Sequence, residues 1–182
     1  MSVVYHYTTA AGLAGILRDR AIEPRTASHR FDNFGAPAAV WFSSNRTWEL
    51  ACSATVGIGP GGELPRGVVP GHAFEAARIT VRKSDTEPWQ AGLLKHGVHW
   101  SVLLRLYSTA VDFGSDPTQW RVSLQPLLME RWTKVELWND ENWVALPVDG
   151  GFFTVAGLMN MAVAAVPGIA IAKEIGGRRD AV

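Results

Sequence analysis

The stretch Val3-Val4-Tyr5-His6-Tyr7-Thr8-Thr9-Ala10-Ala11-Gly12-Leu13-Ala14-Gly15-Ile16-Leu17-Arg18-Asp19 changes its periodicity once, and that change sets the fold class. Residues 2–7 are short, β-branched and aromatic, which predicts a strand. Its alternation places Val4, His6 and Thr8 on one face and Tyr5 and Tyr7 on the other. From Leu13 the period lengthens: Leu13, Ile16 and Leu17 recur at three and four residues, the apolar stripe of a helix that runs to about Asp19. Thr8 or Thr9 can cap that helix by offering a side-chain oxygen to a free N–H of its first turn. Pro24 and the polar residues after it end the pattern. The opening unit is therefore strand, helix, loop.

Working outward, residues 38–43 predict a second strand and 46–52 a short helix, with Ser44 or Asn45 as its cap. Residues 55–71 hold six Gly and three Pro, a composition suited to a surface loop and to no regular element. A third strand is expected over 74–82, helices over 89–95 and 98–110, and final strands over 120–124, 133–137 and 142–147. Asn139-Asp140-Glu141 supplies turn chemistry between the last two. Strands and helices are mixed without regular βαβ alternation, so the class is α+β rather than a doubly wound parallel sheet.

At 182 residues, 47% of them hydrophobic and 19% charged, the chain is the size of one domain and can bury a core. The expected division is a domain over residues 1–148 and an apolar helical extension over 149–182. Lys+Arg and Asp+Glu are 17 each, so no global cationic field exists to hold a nucleic acid, and any such partner must be recognised locally. A single cysteine, Cys52, excludes an intramolecular disulfide framework and a thiolate cluster for zinc. With no basic segment followed by an apolar run at the start, the expected location is the cytoplasm. Residues 152–172 carry no formal charge and are followed by Lys173, Arg178 and Arg179. That length suffices to span a bilayer. Asn160, Pro167 and several Gly and Ala lower its hydrophobicity, which favours a core or partner-covered helix over a membrane anchor.

The phosphate-loop, dinucleotide-fingerprint, nucleophile-elbow and HExxH patterns are all absent. The pair His96 and His99 has no neighbouring carboxylate or cysteine, and no metal site is expected. His6 is different, because it stands near the end of the first strand between two tyrosines, where an imidazole can meet a ligand hydroxyl or be satisfied inside the core.

Val4-Tyr5-His6-Tyr7-Thr8, the Leu13, Ile16 and Leu17 helix, and Ile22-Glu23-Pro24 together resemble the opening motif of small ADP-ribosyltransferase-like domains, in the branch whose first motif carries histidine. That branch is related to diphtheria-toxin-type and DNA-targeting toxin transferases. Val40-Trp41-Phe42-Ser43-Ser44 is similar to the second motif, a strand with an aromatic followed by Ser or Thr. The likeness covers residues 3–50 well and 115–147 in outline. It implies a split pair of small β-sheets around a cleft that holds NAD, with NAD consumed as substrate. By the same resemblance His6 hydrogen-bonds a ribose hydroxyl of NAD, Tyr7 and Thr8 lie close to the dinucleotide, and Ser43 supports the nicotinamide ribose or the catalytic acid. Trp41 or Phe42 walls the pocket, and Arg30 contacts the pyrophosphate through its planar fork.

The third motif of such domains is a glutamate at or near a late strand, which stabilises the cationic ribose as nicotinamide leaves. Glu130, just before Arg131-Trp132-Thr133-Lys134-Val135, is preferred over Glu136, which alternation turns away from the face of Val135 and Leu137. Neither stands in the paired form of the arginine-modifying branch. The expected activity is ADP-ribose transfer to a macromolecular acceptor, protein or nucleic acid, with nicotinamide released. The alternatives are NAD hydrolysis and a catalytically silent nucleotide-binding or partner-binding module, with residues 152–172 as a further partner or membrane contact.

Overall fold

A computed structural model describes residues 2–25, 37–49, 76–139, 142–149 and 152–158. Arg30, Cys52, the 55–71 loop and residues 159–182 of the apolar extension lie outside the described residues.

The opening stretch folds as its periodicity predicts, with strand β1 (Val3–Thr9) running directly into helix α1 (Ala10–Asp19). Thr9 is the cap: it is extended, and its hydroxyl accepts the Gly12 N–H at 3.0 Å, satisfying a donor the first helical turn leaves free. The helix closes at Arg20 in the left-handed conformation, φ 56°, and this turn aims the chain into β2 (Ala21–Ile22). The remaining elements are β3 (Val40–Ser43), β4 (Ala76–Arg82), β5 (Glu87–Pro88), α2 (Trp89–Lys95), α3 (Trp100–Asp112), β6 (Trp120–Ser123), β7 (Leu127–Leu128), β8 (Trp132–Trp138), β9 (Trp143–Ala145), β10 (Val148–Asp149) and β11 (Phe152–Phe153).

The protein is mixed α+β. Seven strands form an antiparallel sheet in the order β5-β6-β3-β1-β4-β8-β9, and two-stranded ribbons join β2 to β7 and β10 to β11. β1 is the middle strand of the seven. It pairs with β4 along its whole length, from Val3↔Arg82 to Thr9↔Ala76, but meets β3 at the single register pair Tyr5↔Ser43. The sheet is thus closely knit on one side of β1 and loosely joined on the other.

Register assigns the two faces. Val4, Ile79, Val81, Ala77, Val135 and Leu137 share one face, where they pack with Leu13 and Leu17 of α1 and with Val40, Phe42 and Trp132. Leu146 and Leu158 complete this core, with Phe153 and Val155 packed against it. Tyr5 and Tyr7 lie on the opposite face with Trp48 and Ala76, and Trp138 and Trp143 pack against them. At the β3–β6 end that same face is covered by α2 and α3, through Trp89, Leu93, Leu103, Leu106 and Ala110 on Trp120 and Val122.

The helix expected over 46–52 requires correction over its described part, since residues 46–49 form bends and irregular chain. One local hydrogen bond and two from the sheet hold this segment in place of helical ones. Asn45 Oδ1 accepts the Thr47 N–H at 3.0 Å, the Tyr7 hydroxyl donates to the Asn45 carbonyl at 2.5 Å, and Arg78 donates to the Arg46 carbonyl. Among the described residues no helix is long and apolar enough to cross a membrane.

Replacing Thr9 by Ala strands the Gly12 N–H and is expected to cost about 1 kcal/mol of stability, read from urea unfolding at neutral pH. Unchanged stability would show that Thr8 or water takes over the cap.

Candidate functional site

His6 sits at the loose side of β1. Its Nδ1 is 2.9 Å from the Trp41 carbonyl of β3, and because a carbonyl only accepts, the ring proton is on Nδ1. Burial lowers the pKa of His6 below its ordinary value, against a smaller raising effect from the bond to Trp41. The ring is therefore neutral at pH 7, and its Nε2 carries a lone pair with no hydrogen-bond partner among the described residues. Phe42 presses on the ring edge-on at 5.8 Å between centroids, fixing its tilt. What this arrangement offers is an oriented acceptor for one hydroxyl.

Thr8 follows on the same face, at the strand-to-helix junction. Gly12 is needed beneath it, because a Cβ there would lie 2.4 Å from the Thr8 hydroxyl oxygen. A side chain at position 12 would push that hydroxyl aside.

The other residues named from sequence are distributed by alternation. Trp41 sends its carbonyl to His6, but its ring lies 6.1 Å from Trp89 and 5.6 Å from Trp120, in the cluster under α2 and α3. Ser43 is buried, opposite Tyr5, and its hydroxyl accepts the Asn45 N–H at 3.1 Å. Tyr7 is buried against Trp48 at 5.1 Å and Trp143 at 5.9 Å. His6, Thr8 and Phe42 thus come together on the α1 face, and the side chains of Tyr7, Trp41 and Ser43 on the other.

Glu130 lies in the short turn before β8, exposed, with one oxygen 3.5 Å from Arg20. A pair this open to water holds its carboxylate weakly. Glu136 is its opposite in every respect. It is 2% exposed, accepts from Arg78 Nε at 2.7 Å and from Lys134 Nζ at 2.7 Å, and stands opposite Arg78 on the tyrosine face. Burial pushes its pKa up, but the hydrogen bonds and charges of Arg78 and Lys134 outweigh that and hold it below the usual carboxylate range. Arg78 is itself pinned, with its guanidinium 4.8 Å from the centre of the Tyr5 ring and 4.4 Å from that of Trp143. The sheet separates this ionic cluster from His6.

The remaining described histidines serve their own helices. His96 Nδ1 donates to the Gly92 carbonyl at 2.9 Å, and His99 caps α3 by accepting the Ser101 N–H at 3.3 Å. Sequence reasoning missed that cap, for which the spacing of His99 just before an apolar-periodic run was the available signal. It also missed Glu136 as the partner of Arg78, since a separation of 58 positions leaves no local trace.

The chain matches no protein-family model, no curated protein and no solved structure.

Two outcomes follow from these environments. The His6 ring should titrate below about pH 6.5, with nitrogen chemical shifts showing the proton on Nδ1 at neutral pH. A folded value below the unfolded one means the unfolded chain takes up the proton first, so this residue's share of stability is lost as pH falls from about 6.5. A midpoint at or above that value would remove the desolvated neutral ring from the argument. For Glu136 the sign is also set by a depressed pKa: its contribution is present above the unfolded value of about 4.3 and lost as pH falls through the folded one. Glu136→Gln should therefore be clearly less stable than the parent at pH 7, with the gap between the two narrowing as the pH falls below the ordinary carboxylate range. A gap that stays constant with pH would mean that shape, not charge, is what the position needs.

Proposed function

We propose that the chain is an NAD-dependent ADP-ribosyltransferase, with the ADP-ribosyltransferase-like fold split at the β1–β3 junction and NAD held beside His6. The observation that carries the reading is the His6 ring: neutral, locked through Nδ1 to the Trp41 carbonyl, and holding its Nε2 lone pair unused where β1 and β3 part after one register pair. Such an acceptor suits a ribose hydroxyl. Its placement within a first-strand Tyr-His-Tyr-Thr motif running into a capped helix adds the resemblance of sequence to the geometry.

In this reading the bond between ribose C1 and the nicotinamide nitrogen breaks, and its electron pair neutralises the departing ring. A nucleophilic oxygen or nitrogen of a macromolecular acceptor attacks C1 and gives up its proton. His6 positions the ribose through one hydroxyl, and Thr8 lines the approach from the start of α1. Glu130 is the carboxylate for the cationic transition state, because its solvent-facing pair with Arg20 releases it at small cost, whereas Glu136 is committed to Arg78 and Lys134 on the far face.

A second reading is supported by one observation. Glu136, buried and ion-paired, faces away from His6, and Glu130 is exposed. A site with the ribose anchor but no poised acid would bind a nucleotide without turning it over.

Nicotinamide release from NAD, measured with and without added protein lysate or DNA, tests both. Transfer predicts release that rises with added macromolecule. His6→Ala should weaken NAD binding roughly tenfold, the worth of one hydrogen bond, and Glu130→Gln should lower turnover about 10²- to 10³-fold with binding kept. Release without any labelled acceptor would point to hydrolysis, and NAD binding with no release to the silent module. Absence of NAD binding by a folded protein sinks the proposal.

A further inference from the structure

Gly12 stands in the first turn of α1, where its N–H is taken by the Thr9 cap. Its backbone is outside the left-handed region, so no turn at this point calls for glycine. Within a helix glycine costs stability relative to alanine, because it has more backbone freedom to lose. Local structure therefore argues against glycine at this position. The space beside it argues for glycine. A Cβ on residue 12 would lie 2.4 Å from the Thr8 hydroxyl oxygen, closer than such atoms approach, and 3.3 Å from that of Thr9.

The fold makes no use of the Thr8 hydroxyl. Thr8 is half-buried at the end of β1, and its side chain makes no hydrogen bond among the described residues. A threonine on an extended strand has another staggered rotamer open to it, so a Cβ at position 12 would turn the hydroxyl aside without breaking the helix. What the missing Cβ preserves is thus one orientation of one uncommitted hydroxyl. That hydroxyl belongs to the residue two positions after His6, on the same face of β1. Two steps of strand cover about 7 Å, short enough for one bound molecule to reach both Thr8 and the Nε2 of His6.

We propose that Gly12 is a positioning residue of the NAD site: by carrying no side chain it holds the Thr8 hydroxyl where it meets a polar oxygen of the bound dinucleotide. This rests on the reading of the cleft as an NAD site. Gly12 acts through Thr8 and not by contact of its own.

A double-mutant cycle on the full chain tests it, with NAD binding read by calorimetry, folding by the thermal midpoint, and the Thr8 rotamer by three-bond NMR couplings. Gly12→Ala should move Thr8 to a new rotamer and keep the thermal midpoint within about 2 °C. It should weaken NAD binding roughly tenfold, the same loss as Thr8→Ala. In the Thr8→Ala background the clash is gone, so Gly12→Ala should leave binding unchanged and raise the midpoint, the ordinary effect of alanine for glycine in a helix. A merely structural glycine behaves otherwise: its replacement lowers the midpoint in both backgrounds, and that result overturns the proposal. A binding loss that persists in the Thr8→Ala background overturns it too, as does a Gly12→Ala protein that fails to fold only when Thr8 is present. NAD binding that falls with His6→Ala but ignores Thr8→Ala leaves the NAD site standing and overturns the role of Gly12 alone. A folded parent that binds no NAD overturns both.

Discussion

The antiparallel pairing of β1 with β4, unbroken from Val3 to Thr9, is the constraint on which the structure depends. It fixes which side chains of β1 enter which core, since a slip by one residue would exchange the faces and turn Tyr5 and Tyr7 into the α1 core. It also carries β8 in register on the far side of β4, so that Val135 and Leu137 join Ile79 and Ala77 in one apolar layer. The residues of that layer are almost wholly excluded from water, and α1 closes it with Leu13 and Leu17. Capping by Thr9 and the left-handed Arg20 turn fit α1 to this layer and deliver β2 to β7, where the Arg20 carbonyl accepts the Met129 N–H at 2.9 Å.

Because β1 spends its pairing on β4, its other edge is only partly taken. β3 meets it at Tyr5↔Ser43, and the next tie across the gap is a side chain, His6 Nδ1 on the Trp41 carbonyl. This substitution satisfies a strand carbonyl with an imidazole and leaves the ring oriented with its second nitrogen uncommitted. A protein that needed His6 only for packing would be served as well by an apolar residue, without the cost of desolvating a ring nitrogen. On the opposite face the polar groups are spent on one another. Arg78 touches Glu136, the Arg46 carbonyl, Tyr5 and Trp143, and removing Glu136 would leave the largely buried Arg78 charge without its carboxylate. That cluster reads as an anchor for residues 45–48 over the sheet rather than as chemistry.

Much of this was legible in local pattern. The change from period two to period three-and-four placed β1 and α1 and narrowed the cap to Thr8 or Thr9, and the 89–95 helix emerged with its sequence-predicted bounds. Alternation alone assigned His6 and Glu136 to their faces. The failures lie where long-range partners decide. Residues 46–49 have helical content in sequence, yet Arg78 and Trp143 claim the Arg46 and Thr47 carbonyls and the segment stays in bends and irregular chain. The two-residue strands β2, β5, β7, β10 and β11 are too short to show any period. The candidate site was legible only as residue types. That Trp41 contributes a carbonyl to His6 while its ring points to Trp89 and Trp120 follows from register, which no single segment displays.

The sheet edges bear on how such a domain meets others. One edge is β5, two residues long and ending in Pro88, which has no N–H to offer a neighbouring strand. The other is β9, three residues long, whose Trp143 indole donates instead to the Thr47 carbonyl at 3.2 Å. Both edges are short and blunted, the usual protection against strand-to-strand association. The buried side of α3 is filled by Leu103, Leu106 and Ala110 against Trp120 and Val122. Five of the seven exposed large hydrophobics among the described residues lie on α2 and α3 and none on the seven-stranded sheet, whose pairing is confined within the domain.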